Sequence, residues 1–241
     1  MNKINDINLI DLKDDVYYVI DNQKDHKLMI DENKHLNILY FSRYEGDIKL
    51  EFDLAKYATL NIDFILMNNH ANIDLNINLL GEYSECYIRN INLVKNGDKY
   101  FNVNVNHQAK YTNSMVSNNA ICFDNGNLNF NIVGHIEKDM KDANARQLTR
   151  GLILGENASC KALPVLLIDY FDVKAYHGAT IGKINDDDLF YLMSRGLSKK
   201  QAFALIINSL LEPFLKKITD EEMKSMIEKQ YLSYFEGDEN E

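Results

Sequence analysis

Residues 58–80, ATLNIDFILMNNHANIDLNINLL, decide the fold. Apolar and polar residues alternate with period two in two short runs, and asparagines at 68 and 69 break them. This is the pattern of strands that bury one face and wet the other. Working outward, the same grammar runs from LNILYF at 36–41 and GDIKLEFDL at 46–54 through EYSECYIRNINLV at 82–94 and KYFNVNVNHQA at 99–109 to NLNFNIVGHIE at 127–137. No segment before Asp186 holds a helical period. Short strands at regular intervals, with Asn, Asp and Gly at the breaks, fit a sandwich, a barrel or a solenoid. A stack of coils, each resting on the last with its asparagine-rich corners outside, fits best. Asn96-Gly97 and Asn125-Gly126 have the form of hairpin turns and would permit some antiparallel pairing. The weaker pieces VYYVI at 16–20 and KLMI at 27–30 read as edge hairpins.

Three parts follow: short strands or hairpins over 1–40, a β-helical core over 41–182, and a helical segment over 183–241. In the last, Asn185 caps a first helix whose opening turn carries Asp186, Asp187 and Asp188, and Gly196 ends it. Ser198 and Gln201 make a capping box for a second helix in which Pro213 marks an end or a kink. Thr219 and Glu222 make a third box, opening a helix that runs to Phe235. The second helix is apolar nearly all round, so it is buried on more than one side, by its own domain or by a partner.

With 241 residues the chain can bury a substantial core without staples. Its net charge of −10 and its lack of a basic cluster argue against nucleic acid as a partner. No run of eighteen apolar residues marks a membrane span, and three widely spaced cysteines suit reduced thiols in the cytoplasm. The chain has no P-loop, no Gly-x-Ser-x-Gly elbow and no HExxH, so any ATPase acting with it is another chain.

Residues 150–182, RGLILGENASCKALPVLLIDYFDVKAYHGATIG, gather turn residues and a His-Gly pair just before the helices begin. The LGENA turn with Pro164 behind it, VKxxHGATIG at 173–182 and LFYLxSRGLS at 189–198 resemble the SufB/SufD family of iron–sulfur cluster assembly proteins. His107, Thr112 and Ser114 resemble the family's strand before the central coils. The His-Gly-Ala-Thr form is nearer the SufD branch. The resemblance implies a right-handed parallel β-helix with a C-terminal helical segment and a non-enzymatic scaffold role. It also implies pairing with a SufB-like subunit or a second copy through the last strands, and a SufC-type ABC ATPase docked on the helices. The chain is shorter than the family pattern at its N-terminal side, and Ala175 stands where the family has a cysteine two residues before the histidine.

On that resemblance His177 is the expected iron ligand for a cluster held in transit, with no tightly bound cofactor; otherwise it is a histidine satisfied at a strand end. Cys160 could face the same interface or pack inertly, Tyr176 could orient His177, and Tyr170 and Asp172 flank it. Cys86 and Cys122 read as core or surface spacers, and His107 and His135 as surface or corner residues. Phe190, Tyr191, Arg195, Leu197, Phe203 and Ile207 are the expected ATPase contacts, being aromatic, arginine or apolar residues beside or on the second helix. Cutting the chain after Gly182 is expected to remove that contact and leave the β-body folded. Two other readings stay open: a carbohydrate-active β-helical enzyme, and a purely structural subunit that ligates nothing.

Overall fold

The computed structural model describes residues 2–4, 16–20, 25–218 and 221–235, with side chains from residue 25 onward except at 223 and 235. It is a parallel β-solenoid of about six turns followed by three helices. Every strand pairs in parallel with the strand one turn away, so the strands fall into two columns. The first column runs through β1 (Asn2–Ile4), β2 (Val16–Ile20), β4 (His35–Ser42), β6 (Thr59–Leu66) and the first half of β8 (Glu85–His107). It continues in the first half of β9 (Asn113–Ile136), then β10 (Asn144–Ile153) and β12 (Lys174–Gly182). The second column holds β3 (Asp25–Ile30), β5 (Gly46–Leu54), β7 (Ala71–Leu79), the second halves of β8 and β9, and β11 (Ser159–Ile168).

The hairpins expected near the N-terminus are therefore replaced by rungs: β3 lies on β5 and β2 on β4, both in parallel. The two Asn-Gly pairs are not hairpin turns either. Asn96 sits over Asn125 and Gly97 over Gly126, at the corner where β8 and β9 pass between the columns. The Asn96, Asn125 and Asn157 carboxamides hydrogen-bond in series up that corner, at 3.1 Å each. Gly97 is required there, because its φ is +124° and a Cβ would meet the His70 ring at 2.4 Å.

In-register stacking keeps like residues on one face. Inside, Tyr40, Phe64, Phe101 and Phe130 touch in sequence with ring centroids 5.3–6.0 Å apart. Outside, Asn72, Asn102 and Asn131 form a second asparagine ladder with 2.9 Å bonds. The high asparagine content thus serves flat rung faces as well as turns.

The opposite corner repeats a left-handed residue in five successive turns: Asn33, Tyr57, Tyr83, Tyr111 and Asp142 have φ between 56° and 63°. Each donates its N–H to a carbonyl of the next turn, at Lys56, Glu82, Lys110, Lys141 and Asp172. The three tyrosine rings stack nearly parallel, 5.1 and 4.7 Å apart.

The helices are α1 (Asp186–Ser194), α2 (Lys199–Leu215) and α3 (Glu221–Leu232). Asn185 accepts from the Asp187 N–H, Ser198 and Gln201 form the reciprocal capping box, and Gly196 takes a φ of +93°. Pro213 is carried inside the last turn of α2. The capping box expected at Thr219 lies outside the described residues.

Ile207, Leu211, Phe214 and Leu215 of α2, with Ile227 and Tyr231 of α3 and Tyr234 beyond it, cover an outer wall of the solenoid. That wall is Leu39, Phe41, Ile65, Met67, Ile91, Leu93, Ile121 and Phe123. Asp63 anchors the seam by accepting from Arg89 Nε and Lys217 Nζ, at 2.6 Å each. Hence one face of α2 is buried by its own chain, against the wall of the β-body. Among the described residues no helix is long and apolar enough to cross a membrane.

Candidate functional site

The last rung, β12, rests on β10 in register, with Tyr176 over Arg146, His177 over Gln147 and Ile181 over Gly151. Gln147 is buried whereas Arg146 and Leu148 are exposed. His177 therefore belongs to the inward side of the rung and Tyr176 to the outward side. Among the described residues no strand covers β12 on its far side. The inward side chains of that rung, Ala175, His177, Ala179 and Ile181, form the open mouth of the solenoid. No described residue hydrogen-bonds the His177 ring, and its imidazole is exposed.

Below the mouth the interior turns polar. Asn92 donates to Asn90 at 3.0 Å, Asn90 to Asn118, and Asn118 to the Thr149 hydroxyl at 2.9 Å. Gln147 donates across the lumen to the Val165 carbonyl at 3.2 Å, while its Oε1 is buried without a partner. His107, expected at the surface, is fully buried between the Thr112 and Ser114 hydroxyls at 2.8 Å each. Burial pulls it down to about 4, so it is neutral. Lys99 is also fully buried, donating to the Leu66 and Leu93 carbonyls at 3.2 and 3.0 Å, and burial pulls it down to about 7. Asn90 and Asn92 escaped the alternation pattern because they alternate with Ile91 and Leu93, which face the helices instead.

The thiols do not gather at His177. Cys86 lies in the column of Ser114, Ala145 and Ala175, fully buried, with its thiol pushed up by burial. Cys160 points into the lumen beside Gly151, whose missing Cβ would stand 2.7 Å from its Sγ. The neighbouring Cys160 thiol and then burial push Cys122 up, and the Cys122 thiol pulls Cys160 down against burial. Gly151 pairs with Ile181, four residues along β12 from His177. At a rise of about 3.3 Å per residue, Cys160 is about 13 Å from His177 at the other end of the mouth.

Tyr170 packs on Phe171 at 4.9 Å, and Asp172 lies 3.8 Å from Lys141. His135 pairs with Asp169 at 2.9 Å. Among the described residues no three His, Cys, Asp or Glu side chains converge as a metal site.

On the helical side Phe190, Tyr191 and Arg195 are exposed, with the Arg195 guanidinium 5.3 Å from the Tyr191 ring centre. Leu197 and Phe203 are half-buried. Ile207 is a correction: it is fully buried against the solenoid wall and offers no surface to a partner. Beside α1, a cleft of about 470 Å³ is lined by Arg150, Thr180, Lys183, Asp188, Tyr191 and Ile206.

Residues 48–210 match the family described as "SUF system FeS cluster assembly, SufBD core domain". The chain is 35% identical over 127 residues to the iron–sulfur cluster assembly protein SufD of Bacillus subtilis (strain 168), covering 53% of this chain and 29% of that one. It is 30% identical over 121 residues to SufD of Escherichia coli (strain K12), covering 50% of this chain and 29% of that protein. An iron–sulfur cluster assembly SufBD family protein of Archaeoglobus fulgidus is 37% identical over 87 residues, which are 36% of this chain and 24% of that one. The matched stretches thus span less than a third of each relative.

Proposed function

Because the chain belongs to the SufBD core-domain family of the SUF system, we propose that it is a SufD-like, non-enzymatic scaffold subunit of iron–sulfur cluster assembly. The observation that carries the reading is the placement of His177 on the inward side of an uncovered terminal rung. A neutral imidazole there is a competent iron ligand. Since Ala175 supplies no thiol and the three cysteines are buried, the other ligands of a cluster in transit come from a second SufB/SufD-type subunit, or a second copy, docked on the mouth. An ABC ATPase of the SufC type docks on α1 and the start of α2 through Phe190, Tyr191, Arg195, Leu197 and Phe203. Free thiols suit a reducing compartment such as the cytoplasm.

The test is reconstitution with SufB-type and SufC-type partners, followed by iron and sulfide analysis. His177→Ala is expected to leave the assembly intact and to lower cluster yield at least about tenfold, as for loss of a metal ligand. Full yield from an intact assembly sinks the ligand role. That outcome supports the second reading, favoured by Ala175 and the buried thiols, of a subunit that shapes the interface without ligating iron.

A further inference from the structure

The tyrosine stack at the left-handed corner has two ends. At Tyr57 the Lys56 ammonium lies over the ring, 5.3 Å from its centre. At Tyr111 the ladder continues as backbone, since the Tyr111 N–H bonds Lys141 and the Asp142 N–H bonds Asp172. The next ring is missing because Asp142 occupies the corner position that Tyr57, Tyr83 and Tyr111 hold in earlier turns. A cavity of about 320 Å³ opens there, lined by Tyr111, Asp142, Val173, Glu85, Asp172 and Lys174, among others. Among the described residues no cation lies over Tyr111.

We propose that this slot binds a guanidinium group, stacked on the face of Tyr111 turned away from Tyr83 and paired with the Asp142 carboxylate. The rings of the stack repeat at 4.7–5.1 Å, and in the next layer the shorter Asp142 stands where a ring would lie, so a flat group fits beside its carboxylate at the same spacing. An aromatic face attracts a cation, as it does at the Lys56 end of the same stack. The walls carry three carboxylates, Glu85, Asp142 and Asp172, against the single ammonium of Lys174, while Lys141 sits 3.8 Å from Asp172 at the rim. That balance repels phosphates and carboxylates. A guanidinium can lie flat on the ring while its in-plane N–H groups reach a carboxylate; an ammonium cannot do both. Asp142 makes no hydrogen bond through its side chain to a described residue, which leaves its oxygens free for the ligand.

The test uses the full chain with ¹³C-labelled tyrosine at low salt, titrated with N-acetyl-arginine amide, N-acetyl-lysine amide and a Gly-Arg-Gly peptide. Saturable shifts of the Tyr111 ring are expected, with arginine bound about fivefold or more tightly than lysine, the equivalent of about 1 kcal/mol. Asp142→Asn keeps a residue that tolerates positive φ and is expected to lose at least about fivefold in affinity. Asp142→Tyr completes the stack, as tyrosine already does at this corner in three other turns, and is expected to abolish binding while raising the melting temperature. No saturable shift, equal affinity for arginine and lysine, or unchanged binding in Asp142→Tyr each overturns the proposal. Tighter binding of the peptide than of the amide supports an arginine side chain of a protein as occupant, and the reverse supports a free guanidino compound.

Discussion

His107 carries a pH signature of its own. Its folded value of about 4 lies below the ordinary 6.5 of an unfolded chain, because the neutral ring is buried between two hydroxyls. Between pH 6.5 and 4 the unfolded chain binds a proton that the folded chain refuses, so stability falls as pH falls through that window, by up to about 3 kcal/mol. Urea unfolding at pH 7 and pH 4.5 is expected to show the advantage of the wild type over His107→Gln shrinking at the lower pH. Gly155 explains the LGENA turn: a Cβ there would lie 2.2 and 2.3 Å from the Asp124 backbone O and N, which cannot give way. Gly155→Ala is expected to cost about 2–3 kcal/mol in thermal unfolding, whereas Gly182→Ala, with nothing within 4 Å, is expected to cost little. So the turn was visible in the sequence while its reason was not, since Asp124 is 31 residues away along the chain. The inward placement of His177 was equally hidden, because strand alternation gives a face its phase but not its sign.

Among elements, the helices were legible because their caps are local chemistry, whereas their docking site was not. The signal for it lies in runs that break alternation, Leu39-Tyr40-Phe41, Phe64-Ile65-Leu66-Met67 and Ile121-Cys122-Phe123. Such runs mark strands buried on both faces, and here the second face meets α2 and α3. Deleting the chain after Gly182 strips eight apolar side chains of their cover. The truncated protein is expected to aggregate or to lose its cooperative thermal transition, read by circular dichroism and light scattering, rather than persist as a free β-body.

At the scale of the molecule, β11 and β12 each leave one hydrogen-bonding edge without a partner among the described residues, flanked by exposed Leu163, Leu167, Ile168 and Phe171. Open apolar edges associate. Light scattering of the isolated chain is expected to show a mass above 27.9 kDa that grows with concentration, and Leu163→Lys with Leu167→Lys is expected to hold it at that monomer value. The solenoid itself was readable, since periodic short strands without helices leave few architectures; its corner asparagines misled locally, because stacked turns and hairpins share residues.

The rung-on-rung register also shapes how the molecule assembles. Each turn touches only its neighbours, about one coil away in sequence, so structure spreads as along a line of dominoes from wherever a first pair of turns closes. The pairing of β8 with β9, broken by a single register shift at Val94–Asn96, is the longest among the described strands and is the natural starting pair. The last half-turn, β12, has a strand neighbour on one side alone among the described residues, so it is expected to set last. Hydrogen exchange is expected to be slowest in β8 and β9 and fastest in β12, where a docked partner would act as the missing next turn and protect it.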